Sequence, residues 1–304
     1  MIDTAAVAQY VRARRTDVEA ALATLLPLPP DCPAVVADAM RYSVTAPGKR
    51  LRPVLCLASA EAVGGTTAAA LSAACAIELI HTYSLVHDDL PAMDDDSMRR
   101  GRPTLHVVAG EGMAILAGDG LLTEAFHVLS AIDGDPSRVL RAIRLIAAAA
   151  GPNGMVGGQA IDLACVTPDP QGRTAPPLDG AGLAAMHARK TGMLIRASAA
   201  AGALLGGGTD AHVAAIDAAA AEFGLAFQIV DDILDVEGDP AQLGKSTGKD
   251  AAAGKPTYPA LYGVDQSRSM ADACIARAAD TLNAAGMTDT WLLGIGRWIV
   301  DRHN

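Results

Sequence analysis

Apolar and polar positions along the chain recur at helical spacing and nowhere alternate as a half-buried strand requires. The pattern predicts an opening helix over residues 4–26, ended by Pro27, Pro29, Pro30 and Pro33. A second fits 34–44 and stops before Pro47-Gly48. Residues 51–63 and 66–90 read as two long helices split by Gly64-Gly65, the second so apolar that burial of both faces is expected. A polar loop takes 91–104. Further helices fit 111–131, 136–150, 153–165, 179–205, 209–236, 255–285 and 290–302, with a Pro-rich loop at 166–178. No internal repeat or dividing linker is visible, so one all-α domain spanning 1–304, a bundle of about ten or more helices, is expected.

Composition sharpens this. Roughly one residue in five is alanine, hydrophobic residues make up 51% and aromatics only 3%. Alanine favours helix, whereas strands are rich in β-branched and aromatic residues. A net charge of −10 argues against nucleic acid as a partner. Cys32, Cys56, Cys75, Cys165 and Cys274 form no C-x-x-C pair, and the start shows no signal-peptide pattern, so a reduced, cytoplasmic protein is expected. The longest uncharged runs are broken by Gly and Pro, so no membrane span is expected.

Two aspartate clusters interrupt the apolar pattern. The first is His87-Asp88-Asp89-Leu90-Pro91-Ala92-Met93-Asp94-Asp95-Asp96. In the second, Gln228, Asp231, Asp232 and Asp235 follow i, i+3, i+4, i+7 spacing and form one stripe on a helix otherwise hydrophobic. His81, Ser84 and Asp88 share a face by the same rule. Stacked carboxylates repel one another and are costly to desolvate. A hard divalent cation that shares its coordination with substrate phosphates resolves the conflict.

Basic segments flank both clusters. Gly48-Lys49-Arg50-Leu51-Arg52-Pro53 precedes an apolar helix, and Arg99-Arg100-Gly101 follows the first cluster. Lys190-Thr191-Gly192 lies on a later helix, and Lys245, Lys249 and Lys255 follow the second cluster. Such mixed-sign neighbourhoods suit a diphosphate held by cations and bridged to carboxylates by Mg²⁺. The Gly244–Lys249 run lacks the spacing of a phosphate loop and no strand precedes it.

In this order, GKRLRP, ELIHTYSLVHDD, GMVGGQAIDL, HARKTG, LAFQIVDDILDV, LGKSTGKD and GKPTYPAL resemble the trans-polyprenyl diphosphate synthases, specifically the bacterial farnesyl type. The resemblance implies the isoprenoid synthase fold around a central apolar cavity. It also implies a Mg²⁺-dependent condensation of isopentenyl diphosphate with dimethylallyl or geranyl diphosphate. By resemblance, Asp88, Asp89, Asp94, Asp231 and Asp235 hold the metal. Arg99, Lys190, Thr191, Gln228, Lys245 and Lys255 hold the allylic diphosphate. Lys49, Arg52, His81 and Arg100 hold isopentenyl diphosphate. The roles of Arg50, Asp95 and Asp232 stay open, as do those of Arg297 and Arg302. A homodimer is likewise implied.

In this family the residues four and five positions before the first Asp floor the elongation pocket; here they are Ser84 and Tyr83. Wheel geometry places Ser84 under Asp88, since each residue advances ~100°. The resemblance assigns the floor to the aromatic at 83, which would stop growth at farnesyl length. Geranyl and geranylgeranyl diphosphate synthases are neighbouring readings. A terpene cyclase would need no isopentenyl site, and a non-catalytic subunit would tend to lose aspartates that this chain keeps.

Overall fold

The computed structural model of the chain describes residues 2–167, 171–176, 178–237 and 257–301. Lys245, Lys249, Lys255 and Arg302 therefore lie outside the described residues. The helices are α1 (Thr4–Leu25), α2 (Ala34–Val44), α3 (Leu51–Ala62), α4 (Thr67–Asp88), α5 (Leu105–Ala109), α6 (Glu111–Ser130), α7 (Pro136–Ala150) and α8 (Met155–Val166). They continue with α9 (Gly180–His187), α10 (Met193–Leu205), α11 (Asp210–Glu237), α12 (Tyr258–Tyr262), α13 (Val264–Ala284) and α14 (Trp291–Asp301). Local chemistry sets several starts: Asp3, Asp135 and Asp179 each cap a helix by accepting a backbone N–H.

The expected all-α fold is present, with four local differences. A two-residue antiparallel pair, β1 (Met98–Arg99) with β2 (Arg102–Pro103), sits in the polar loop. Helix α5 was not expected. The 255–285 stretch, where described, breaks at Gly263, whose φ of 81° no L-residue favours. The 179–205 stretch contains a π-turn, Ala188–Gly192, between α9 and α10.

Helix α10 lies against α3, α4, α7 and α11, which explains the alanine content. Its sequence, MLIRASAAAGALL, is almost wholly buried. A Cβ on Gly202 would overlap the Cys56 carbonyl oxygen of α3, and one on Gly206 would come 2.7 Å from Ala60 Cα. Small residues thus let the two backbones touch. One apolar cluster runs from Val7 on α1 to Ile299 on α14, and Tyr10 stacks on Trp291 at 4.6 Å to hold the chain ends together.

By length and composition alone, α4, α6 and α11 are each long and apolar enough to cross a membrane. Isolated polar residues interrupt each of them without removing its mean hydropathy, and part of each is buried inside the protein.

The α3–α10 contact generates a test. Gly202→Val should cost at least about 1–3 kcal/mol, the usual range for overpacking. Gly112→Ala, with open space around its Cα, should be neutral or stabilising by up to ~1 kcal/mol. Urea denaturation of both variants checks this; similar midpoints would remove the packing argument.

Candidate active site

The first aspartate cluster is built on the C-terminus of α4. Asp89 caps the helix, and the chain then winds back so that the Asp94 N–H donates to the Asp88 carbonyl at 2.9 Å. The Pro91-Ala92 pair lies within this closed turn, which returns Asp94 to Asp88. Burial pushes the Asp88 carboxyl up to about 6; Lys190 opposes the shift and Asp94 adds to it. Its carboxylate takes no hydrogen bond or ion pair among the described residues. Asp89 differs. It is 4% exposed and lies in the fork of Arg99, with Nε to Oδ1 at 2.7 Å and Nη2 to Oδ1 at 2.6 Å.

The β1–β2 hairpin explains the doubled arginine. Arg100 and Gly101 form its two-residue turn with φ of 53° and 75°. Two positive φ values suit the right-handed twist of a tight hairpin and call for glycine at one of them. The turn separates the two guanidiniums. Arg99 reaches Asp89, whereas Arg100 reaches back over Gly48, where an added Cβ would lie 2.6 Å from its Nη1.

Arg100 joins a cationic cluster. Arg50 is the left-handed cap of α3, and its buried guanidinium donates to Glu78 at 2.5 Å and to the Val44 and Ala46 carbonyls. Arg50 therefore braces the loop that presents Lys49 and Arg52. Burial lowers Arg52 to about 10; Glu78 opposes this shift and Arg100 adds to it. His81 is held well below its ordinary value by burial and then by Arg52, Arg100, Arg99 and Arg50, so it is neutral here. Three guanidiniums, Arg50, Arg52 and Arg100, act on the one buried carboxylate of Glu78. The excess positive charge has an anion as its natural complement. Glu78 was missed in the sequence, although it is the only acid in α4 before Asp88.

On the other side, the π-turn carries Lys190 and Thr191. A Cβ on Gly158 of α8 would overlap the Lys190 backbone nitrogen, and one on Gly224 of α11 would come 3.1 Å from Gly192 Cα. The π-turn is thus clasped between two helices by glycine contacts. Lys190 Nζ donates to Asp162 at 2.5 Å. Thr191 donates to Gln228 Oε1 at 3.2 Å, and Gln228 Nε2 donates to Asp232 Oδ1 at 3.0 Å. Asp232 also accepts the Tyr258 N–H at 3.0 Å, so this central acid of the second cluster joins α11 to α12. Asp231 lies within electrostatic range of His187, as do Asp162 and Lys190. Asp235 is buried and takes no hydrogen bond or ion pair among the described residues.

Lys190 thus acts on Asp88 of the first cluster and, beside Asp231 of the second, on His187, so the two clusters border one polar region. The buried amide of Gln159 and both ring nitrogens of His187 have no hydrogen-bond partner there. The five aspartates expected as one ligand set do not form a preformed cage: no three acids, imidazoles or thiols converge on a metal position among the described residues. Asp89 is occupied by Arg99. Separate carboxylates still fit Mg²⁺, which is held through one or two carboxylates plus substrate phosphates rather than by an all-protein cage. Tyr83 is buried, edge-on to His87 at 5.7 Å, and burial raises its hydroxyl pKa with help from Asp88. Ser84 is half-buried and donates to the His81 carbonyl at 2.8 Å.

The profile of the family described as "Polyprenyl synthetase" matches residues 33–285. Farnesyl diphosphate synthase of Geobacillus stearothermophilus is 48% identical over 258 residues, 84% of each chain. Geranylgeranyl pyrophosphate synthase 11, chloroplastic, of Arabidopsis thaliana is 43% identical over 97% of this chain and 82% of its own. The crystal structure of an FPP/GFPP synthase from Zymomonas mobilis superposes with a TM-score of 0.85 at 36% identity, covering 98% of this chain and 100% of that one.

The raised Asp88 pKa makes a stability prediction. The folded protein holds this proton more tightly than the unfolded chain, whose aspartates titrate near ~3.9. The group's stabilising effect is therefore full below about pH 4 and lost as pH rises through about 6. Asp88→Asn should stabilise the metal-free protein by about 1–2 kcal/mol near neutral pH, discounted for partial exposure, and little near pH 4. An equal gain at both pH values in urea denaturation would show another cause.

Proposed function

The chain belongs to the polyprenyl synthetase family, and on that premise we propose that it is a Mg²⁺-dependent farnesyl diphosphate synthase. It condenses isopentenyl diphosphate with dimethylallyl and then geranyl diphosphate. The observation that carries the reading is the pairing of a cationic cluster with a carboxylate–lysine cluster, joined through adjacent Arg99 and Arg100.

In this reading Lys49, Arg52, His81 and Arg100 hold the isopentenyl diphosphate. The neutral imidazole of His81 offers one N–H donor where a further cation would be costly. Arg99, Lys190, Thr191 and Gln228 hold the allylic diphosphate, joined by Lys245 and Lys255 from outside the described residues. Asp88, Asp94, Asp231 and Asp235 hold Mg²⁺; Asp89 joins them only by releasing Arg99. The metal's contribution is to draw negative charge from the departing diphosphate. Asp162 positions Lys190, and the Thr191–Gln228–Asp232 chain fixes the Gln228 amide. Apolar helix faces around the reacting carbons keep water from the cationic allyl group.

Tyr83 supports farnesyl as the product: its ring is buried five residues before Asp88 and lies edge-on to His87, whose Nε2 lies 3.1 Å from the Ile115 carbonyl. The second reading is a geranylgeranyl diphosphate synthase, favoured by the names of several relatives at 43–45% identity. Labelled isopentenyl diphosphate with Mg²⁺ and each allylic primer separates the two. Wild-type product should end at farnesyl, and Tyr83→Ala should extend it to geranylgeranyl length or beyond. Absence of incorporation with every primer would sink the enzyme reading; an unchanged product in Tyr83→Ala would sink the ruler.

The reading includes a cytoplasmic homodimer. Five cysteines, none of them in a disulfide among the described residues, suit a reducing compartment. Val107, Val108, Ile115 and Leu116 on α5 and α6 are 44–54% exposed and form an apolar surface suited to a second copy. Leu116→Glu should shift the protein from dimer to monomer in sedimentation equilibrium; a dimer of unchanged affinity would exclude this surface.

A further inference from the structure

We propose that the cavity between α1 and the 44–50 segment is a second ligand site, for a small monocarboxylate with an apolar tail. The cavity has a volume of about 390 Å³, within the range of small-molecule pockets. Leu22, Leu26, Val44 and Pro47 give it apolar walls. Arg15, Glu19 and Arg50 cluster at its polar part.

The polar part is built but not closed. Arg50 is 4% exposed, and its Nη atoms are committed to Glu78, Val44 and Ala46. Its Nε makes no hydrogen bond among the described residues. Glu19 Oε1 stands 3.8 Å from Arg50 Nε and 3.7 Å from Arg15 Nε, beyond hydrogen-bond reach of both. A carboxylate thus already marks the point between two guanidinium donors without bonding either. The Glu19 side chain is 44% exposed and can turn to water. A ligand carboxylate taking its place would receive both N–H groups as charge-assisted bonds, with its tail against the leucines.

The site also borders the cationic cluster. Gly48 lines the cavity, and its other side meets the Arg100 guanidinium. The cavity therefore adjoins the segment that carries Lys49 and leads into α3 and Arg52.

Octanoate is the probe, titrated calorimetrically into the full chain at neutral pH, with octanol as the control lacking the charge. Octanol should bind roughly tenfold more weakly, the loss of one charge-assisted bond. Glu19→Ala should bind octanoate roughly tenfold more tightly by removing the competing carboxylate. Ala23→Trp, at an exposed lining position, should abolish binding. In the unaltered protein, octanoate should shift the Thr45 and Gly48 amide resonances. Equal affinity for octanol, no gain in Glu19→Ala, or shifts confined to other residues would each overturn the site. None of these readouts uses turnover, so their failure leaves the proposed reaction standing, and the reverse holds too.

Discussion

Close backbone approach at small residues is the constraint on which the rest of the molecule depends. Helix α10 can be buried by four neighbours because Gly202 and Gly206 admit α3 directly. The same device, through Gly158 and Gly224, clasps the π-turn between α8 and α11. A π-turn holds an extra residue within a helix and re-aims side chains around it. Here it directs Lys190 at Asp162 on α8 and Thr191 at the Gln228 amide on α11. An aromatic-rich core would hold these backbones further apart, and the lysine could not serve both clusters.

Within that frame, chemically alike carboxylates divide by their partners. Glu78, Asp89 and Asp232 are committed to guanidinium or amide donors and brace the fold. Among the described residues, Asp88 and Asp235 take no such bonds. Burial makes an unshared carboxylate costly, a cost that the proposed Mg²⁺ would relieve.

Much of this was legible in the sequence. Helix periodicity and Gly or Pro breaks place most boundaries within a residue or two, because amphipathic spacing and capping are local signals. The π-turn was not legible, since one added residue barely disturbs a 3.6-residue period. The short hairpin at Arg99–Arg102 has no room for alternation, although Arg100-Gly101 was its turn signal. The i, i+3, i+4, i+7 stripe identified the polar face of α11 but could not tell Asp232, tied to α12, from Asp235. That distinction depends on Tyr258, 26 residues away in sequence. Arg50 and Arg52 were likewise alike on paper; only the fold turns one toward Glu78 and the Val44 carbonyl.

The hairpin also sets a length. Arg99 and Arg100 belong to different charge clusters, yet their Cα atoms are joined by one peptide and stand about 3.8 Å apart. Helix–helix distances in a packed core drift with every substitution at their contacts. A covalent spacing does not. On the proposed function, the chain could therefore widen or deepen its apolar interior to change product length while the backbones that carry the two arginines keep their registration. A gauge of this kind lets one scaffold vary how far a chain grows without losing the place where its ends are joined.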